Sequence, residues 1–241
     1  MLKMKQMNQD VKFAFLYNPV FRVIATWVWF FVGTALVILI ILGVYGSDFV
    51  TALEVLGEKR YLAFYIEFVS VGLFPLVITL ICKDDPGLYG LSRKGLEKSF
   101  LLSSLIVATN FGIGLLAGGP RFQSPAFHLD FPWNIWYVAL GIFAYGPLEV
   151  FFVMWLITNT DRIFKSGSRI LSWGLVLTVI IFAASHIFTS PNAGVRNAFY
   201  VGLIFLALGL VYKYTKNSIG PMIAWTLING QIWFIVKILW T

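Results

Sequence analysis

The stretch from Val23 to Gly46 carries no charged residue and is predominantly apolar. A helix of that length crosses a bilayer, because about 20 apolar residues rising ~1.5 Å each span the ~30 Å hydrocarbon core. Comparable runs recur at Tyr61 to Cys82, Phe100 to Ala117, Ile170 to Phe188, Ala198 to Tyr212 and Ile219 to Trp240. One more begins at Trp133 and continues past Glu149 to Lys165. Hydrocarbon offers no hydrogen-bonding partner to the backbone, so uninterrupted apolar runs fold there as helices. The expected fold is therefore all-α, a polytopic transmembrane helical bundle of about seven spans. Composition agrees: of 241 residues, 59% are hydrophobic and 12% charged, against ~25% charged in soluble domains.

Residues 1–19 mix Lys3, Lys5 and Lys12 with Met, Phe and Leu and end at Asn18-Pro19. They read as a basic, partly amphipathic interfacial segment. The run that follows is long enough to span, which argues against a cleavable signal peptide. Residues 20–241 read as a single transmembrane domain, without internal repeats, low-complexity tracts or long linkers. Lys and Arg bias sets the orientation. A cytoplasmic N-terminus puts thirteen of the eighteen basic residues on that side, leaving Lys59, Arg60, Arg121, Arg196 and Lys237 on the other. The formal net charge of +7 would suit nucleic acid. The cations fall in short clusters between apolar runs, however, so the expected partner is the lipid bilayer and not nucleic acid. Cys82 is the only cysteine, which excludes an intramolecular disulfide and a thiolate metal cage. It reads as a buried apolar residue near a helix end.

Chemistry concentrates in the helical hairpin from Gly146 to His186. GPLEVFFVMW leads out, Ser166-Gly167-Ser168 makes a polar turn, and VIIFAASHIF returns. Gly167 stands at the centre, 18 residues after Glu149 and 19 before His186. With both arms helical, the two side chains lie at nearly one depth, ~27 Å from the bend. An acid at a helix centre costs ~2.5–3.5 kcal/mol on insertion, so such residues are functional candidates by default. An acid and an imidazole at one level inside a membrane are the sharpest chemical signal in the sequence. Their structural alternatives are a protonated Glu149 bonded to a neighbouring helix and a satisfied interhelical His186. Pro147 predicts a local kink beside Glu149 that admits water. Phe182, one turn before His186, shares its face and is expected to line the cavity.

Asn229 lies ~15 Å into the last run, and its amide would donate either to an oxyanion or to a neighbouring helix. Glu67, ~9 Å into its span, is within snorkelling reach of the outer interface. Asn110 reads as a helix-packing amide, and His128 and Asp130 as solvated loop residues. A divalent metal such as zinc would find two protein ligands in Glu149 and His186, against the three of a catalytic zinc site. No cofactor is required by this reading. HExxH, a glycine-rich phosphate loop and GxSxG are all missing.

From about Asp84 to Asn229 the chain resembles the CPBP group, the CAAX-protease and bacteriocin-processing (Abi-type) intramembrane metalloprotease-like proteins. GLYGLSRKGLEKS resembles the basic amphipathic lead-in of that family, and FAASH, ending at His186, its FxxxH motif. VGLIFLALGLVYKYTKNSIGPMIAWTLIN resembles its glycine-spaced helix and final motif helix, with Asn229 at the Asn of HxxxN. The EExxxR motif survives in part: Glu149 is kept, Val150 stands at the second Glu, and Met154 or, in another register, Trp155 at the Arg. Trp225 replaces the His of HxxxN, where it would line the substrate cavity. The resemblance implies a membrane endopeptidase acting on a peptide or protein substrate. Glu149 would be general base, His186 its partner or the water's second anchor, and Asn229 an oxyanion donor. The incomplete motifs leave a second reading, a catalytically inactive relative that binds or helps another membrane protein. A small proton-coupled transporter is a third, disfavoured by the lack of an inverted repeat. Compact size and short loops suggest a prokaryotic cell membrane.

Overall fold

A computed structural model describes residues 14–45, 48, 50–51, 54–55, 62–119, 127–189 and 194–240. Most of the basic N-terminal segment, with Lys3, Lys5 and Lys12, lies outside the described residues, as do Lys59, Arg60 and Arg121. Among the described residues the fold is helical, with no strand. Asn18 starts α1 (Pro19–Tyr45): its Oδ1 accepts the Val20 N–H at 2.9 Å. Pro19, with no N–H to lose, takes the first helical position. Then follow α2 (Ala63–Ile81), α3 (Leu96–Leu116), α4 (Trp133–Phe164), α5 (Trp173–Thr189), α6 (Gly194–Thr215), α7 (Ile219–Ile228) and α8 (Gly230–Val236).

The central element is α4. From Val150 to Ile157 nearly every side chain is fully buried, including the polar edge of Trp155, whose Nε1 donates to Thr79 Oγ1 at 3.0 Å. A helix hydrophobic all round and buried all round belongs inside a bundle. α1, α2, α5 and α7 pack directly on it, and α6 and α3 close the far side against α5 and α7. The outer helices leave their apolar side chains open: Phe31, Leu39 and Ile40 on α1, and Leu101, Leu105, Ile113 and Leu116 on α3, are exposed. In water such surfaces would aggregate; in a bilayer they face lipid. Five helices are long and apolar enough to cross a membrane, or six if α7 and the helix after it count as one span. The chain is an integral, multi-pass membrane protein.

Two expected spans differ in form. The run from Ile170 to Phe188 is the shorter apolar helix α5, because the hairpin turn is wider than Ser166–Ser168 and occupies Lys165 to Ser172. The run from Ile219 to Trp240 is not one helix: it bends by 65° at Asn229, whose ψ of 115° is extended. The physical reason is local. Asn229 Oδ1 accepts the Gln231 N–H at 2.9 Å and so caps a new helix at Gly230, as asparagine does at N-termini.

The hairpin keeps its arms in register nonetheless. A Cβ on Gly174 would lie 2.3 Å from the Ile157 carbonyl oxygen, so α5 starts hard against α4 at that level. Further on, the Phe152 and Phe182 rings meet at 6.0 Å. Extending this antiparallel register by one turn brings His186 level with Leu148 and Glu149.

Polar side chains fasten the turn end. Asp161, buried, accepts from Ser166 Oγ at 2.7 Å, Ser172 Oγ at 3.0 Å and the Gly174 N–H at 2.9 Å. Lys213 Nζ of α6 completes the set as its ion-pair partner. Nearby, Arg22 is 1% exposed. Its guanidinium forks onto Asp84 at 2.7 and 3.1 Å, and its Nε donates to the Leu16 carbonyl. Tyr89 OH closes this network on Asp84 Oδ2 at 2.5 Å. Cys82 is buried at the end of α2, as expected.

Candidate intramembrane site

Glu149 follows a π-helical turn, Ala144–Leu148, that contains Pro147. Proline lacks the N–H of a regular turn, and α4 absorbs the defect as a π segment rather than ending. A second π turn, Phe68–Leu73, lies in α2, and the two pack together. Gly72 makes this fit possible: a Cβ there would sit 1.9 Å from Leu148 Cγ. The π turns bring α2 against α4 at the level of Glu149.

The Glu149 carboxylate is 3% exposed. Trp225 Nε1 donates to its Oε2 at 2.7 Å, and Asn229 Nδ2 reaches the same oxygen at 3.4 Å. The Asn229 amide makes its shorter bond, 2.9 Å, to the Tyr145 carbonyl. Both described donors thus converge on Oε2, which leaves Oε1 as the oxygen toward which a water or substrate proton can be directed. Trp225 stands one turn before Asn229 on α7, so the bend after Ile228 presents an indole N–H and an amide to one carboxylate.

His186 is half-buried on the stripe of α5 that faces the core, continuing Leu175, Val179 and Phe182. Its Nδ1 bonds the Phe182 carbonyl at 2.9 Å. A carbonyl only accepts, so Nδ1 is the donor in this bond. The imidazole packs edge-on to Phe182 at 4.9 Å. Phe182 meets Phe205 at 4.8 Å, and Phe205 meets Trp225 at 4.8 Å. An aromatic chain therefore runs from His186 to the indole that holds Glu149. Glu149, Trp225 and Asn229 are in hydrogen-bonding contact; His186 joins them through rings and through depth.

Glu67 is the residue that precedes the π turn of α2. Asn110 accepts from Tyr200 OH at 2.9 Å and joins α3 to α6. His128 and Asp130 form an exposed pair at 3.1 Å. Among the described residues no three His, Cys, Asp or Glu side chains gather as a metal-ligand group. The donors on Glu149 are an indole and an amide, neither of which is a ligand for zinc. The residues do not fit a metal centre.

A buried carboxylate, an indole and an amide, set in a lipid-facing helical bundle behind two π turns, define an intramembrane protein with a polar site at depth. Residues 130–231 match the model of the family described as type II CAAX prenyl endopeptidase Rce1-like. The match covers less than half of the chain but takes in Glu149, Phe182, His186, Trp225 and Asn229, and it is consistent with the CPBP resemblance. Over this stretch the chain is similar to CAAX-protease-like membrane proteins. No curated protein and no solved structure matches the chain.

Proposed function

We propose that this protein is an intramembrane endopeptidase that hydrolyses a peptide bond of a membrane-associated substrate with a Glu149-activated water. The observation that carries the reading is the convergence of Trp225 and Asn229 on one oxygen of Glu149, which fixes the carboxylate while leaving the other oxygen for water. In the proposed step, Oε1 takes a proton from water as the water oxygen bonds to the peptide carbonyl carbon. His186, at the same depth, is the water's second anchor. The carbonyl oxygen becomes an oxyanion; the neutralised Glu149 then holds the two donors less strongly, and the Asn229 amide turns to that oxygen. Donors aimed at developing charge are the usual source of most of such a rate. Collapse breaks the C–N bond, and the proton on Glu149 passes to the leaving amine.

The site lies between apolar helices, which suits a substrate that partitions into lipid, such as a peptide carrying a prenyl chain. A cytoplasmic N-terminus puts the hairpin turn in the cytoplasm, in a prokaryotic cell membrane. The experiment is incubation of the protein, in lipid nanodiscs and in H₂¹⁸O, with matched prenylated and unprenylated peptides. New C-termini labelled with ¹⁸O, formed faster from the prenylated member, are the expected products. Folded protein that binds these peptides but leaves every one intact would overturn the hydrolase reading and favour a non-catalytic binding role.

A further inference from the structure

At the hairpin-turn end, away from the proposed peptidase site, a cavity of about 410 Å³ opens between the end of α4, the turn and the end of α6. Four cations line it: Arg162, Lys165, Lys213 and Lys216. Lys213 is buried against Asp161, so its charge is matched. The other three are exposed, and Asp161 is the cavity's one lining carboxylate. The C-termini of α4 and α6 add about −0.5 each. The cations still exceed the negative charge by about two. Burial, and then the neighbouring Lys213 charge, hold the Lys216 ammonium below its usual range.

The backbone adds a second observation. Lys165 and Lys216 both adopt left-handed conformations, at φ of 50° and 57°, where glycine would be easier and side chains are costly. Two lysines thus stand in left-handed backbone at this opening; Lys83, at the end of α2, does so outside it. The cavity also sits at a recognisable depth. Phe164, Trp173 and Tyr214 are exposed around it, and aromatic rings of this kind mark the headgroup level of a bilayer.

We propose that this cavity binds a phosphate group, with Arg162, Lys165 and Lys216 as its cationic ligands and an anionic phospholipid headgroup or a soluble phosphate ester as its source. Basic pockets between helices at the membrane surface take lipid phosphates in this way. The Thr158 and Tyr212 hydroxyls, bonded to each other at 2.6 Å, stand on the cavity wall. A bound phosphate would hold the hairpin turn to α6 from the membrane side.

Native mass spectrometry of the full chain, released from nanodiscs containing phosphatidylglycerol and phosphatidylcholine, reads the site directly. Phosphatidylglycerol should be retained in preference, and the double variant Arg162→Gln/Lys216→Gln should weaken that preference roughly thirtyfold, for two charges near a membrane surface. Both side chains are exposed, so the variant keeps its fold; Lys165→Gln gives an independent, smaller loss. Displacement of the lipid by glycerol phosphate would identify a soluble ester as the source, and its failure to displace would identify the headgroup. A preference unchanged in the double variant would overturn the proposal. So would an equal loss in Lys98→Gln, which lies in the neighbouring groove, since that would make the effect one of general surface charge.

Discussion

The two ends of the hairpin treat buried charge in opposite ways. At the turn, Asp161 has four donors spread over both oxygens, one of them the Lys213 ammonium. Arg22 likewise meets a carboxylate, a phenol and a backbone carbonyl at once. At the open end, Glu149 is as deeply buried, yet its described bonds come from an indole and a long amide contact, both on one oxygen. No cation stands among the described hydrogen-bond partners of Glu149. Buried ions that only hold a structure together need full compensation, because an unpaired one costs several kcal/mol. A carboxylate with one oxygen fixed and one open is poised to accept a proton. The contrast is between a carboxylate with donors on both oxygens and one with donors on a single oxygen.

The largest effect should come from breaking the fastening. Lys213→Ala strands Asp161 and should cost about 3–5 kcal/mol, read as a large drop in Tm in detergent. Pairing it with Asp161→Leu should recover part of the loss, because the uncompensated charge is gone. Next, Arg22→Met removes charged hydrogen bonds worth roughly 1.5–3 kcal/mol each, offset in part because the half-buried Asp84 regains water. It should also flatten the acid limb of the stability curve. Burial pushes the Asp84 carboxyl up, but the hydrogen bonds from Arg22 and Tyr89 win and hold it below its ordinary value. A lowered folded value contributes stability that is complete above about pH 4, the unfolded value, and is lost as pH falls through the folded one. Urea or thermal titration of wild type between neutral pH and pH 3 should show that loss; Arg22→Met should show a smaller one, because Asp161, pushed up by burial but held below its ordinary value by Lys213 and its serines, still contributes.

Changes at the open end should be smaller in stability. Trp225→Phe keeps the ring contact with Phe205 and deletes one hydrogen bond, for about 1 kcal/mol. Glu149→Gln should move Tm least of all, since the amide oxygen can still accept the indole N–H. A large destabilisation by Glu149→Gln would erase the contrast and make the carboxylate a structural group.

Much of this arrangement was readable beforehand, and for a physical reason. Apolar runs without charges have one fold available in hydrocarbon, so the helical bundle follows from Val23–Gly46 and its counterparts. The common depth of Glu149 and His186 follows from counting residues along a hairpin; the register of Gly174 and Phe182 on α4 agrees with it. What escaped was whatever depends on partners far apart in sequence. Arg22 reads as one of several interfacial cations, and only packing reveals Asp84 as its partner. The bend at Asn229 had a local signal, since Asn-Gly marks a turn, but the apolar residues on either side outweighed it. Trp225 drew notice as a missing histidine, and its bond to Glu149 is visible only in three dimensions.

The most direct test of the central claim is the single-turnover cleavage rate of one prenylated peptide by wild type and by Glu149→Gln in the same nanodiscs. Loss of a general base should lower the rate by about 10²–10⁴ while Tm stays within a few degrees. Equal rates in the two proteins would contradict the account and place any hydrolysis elsewhere.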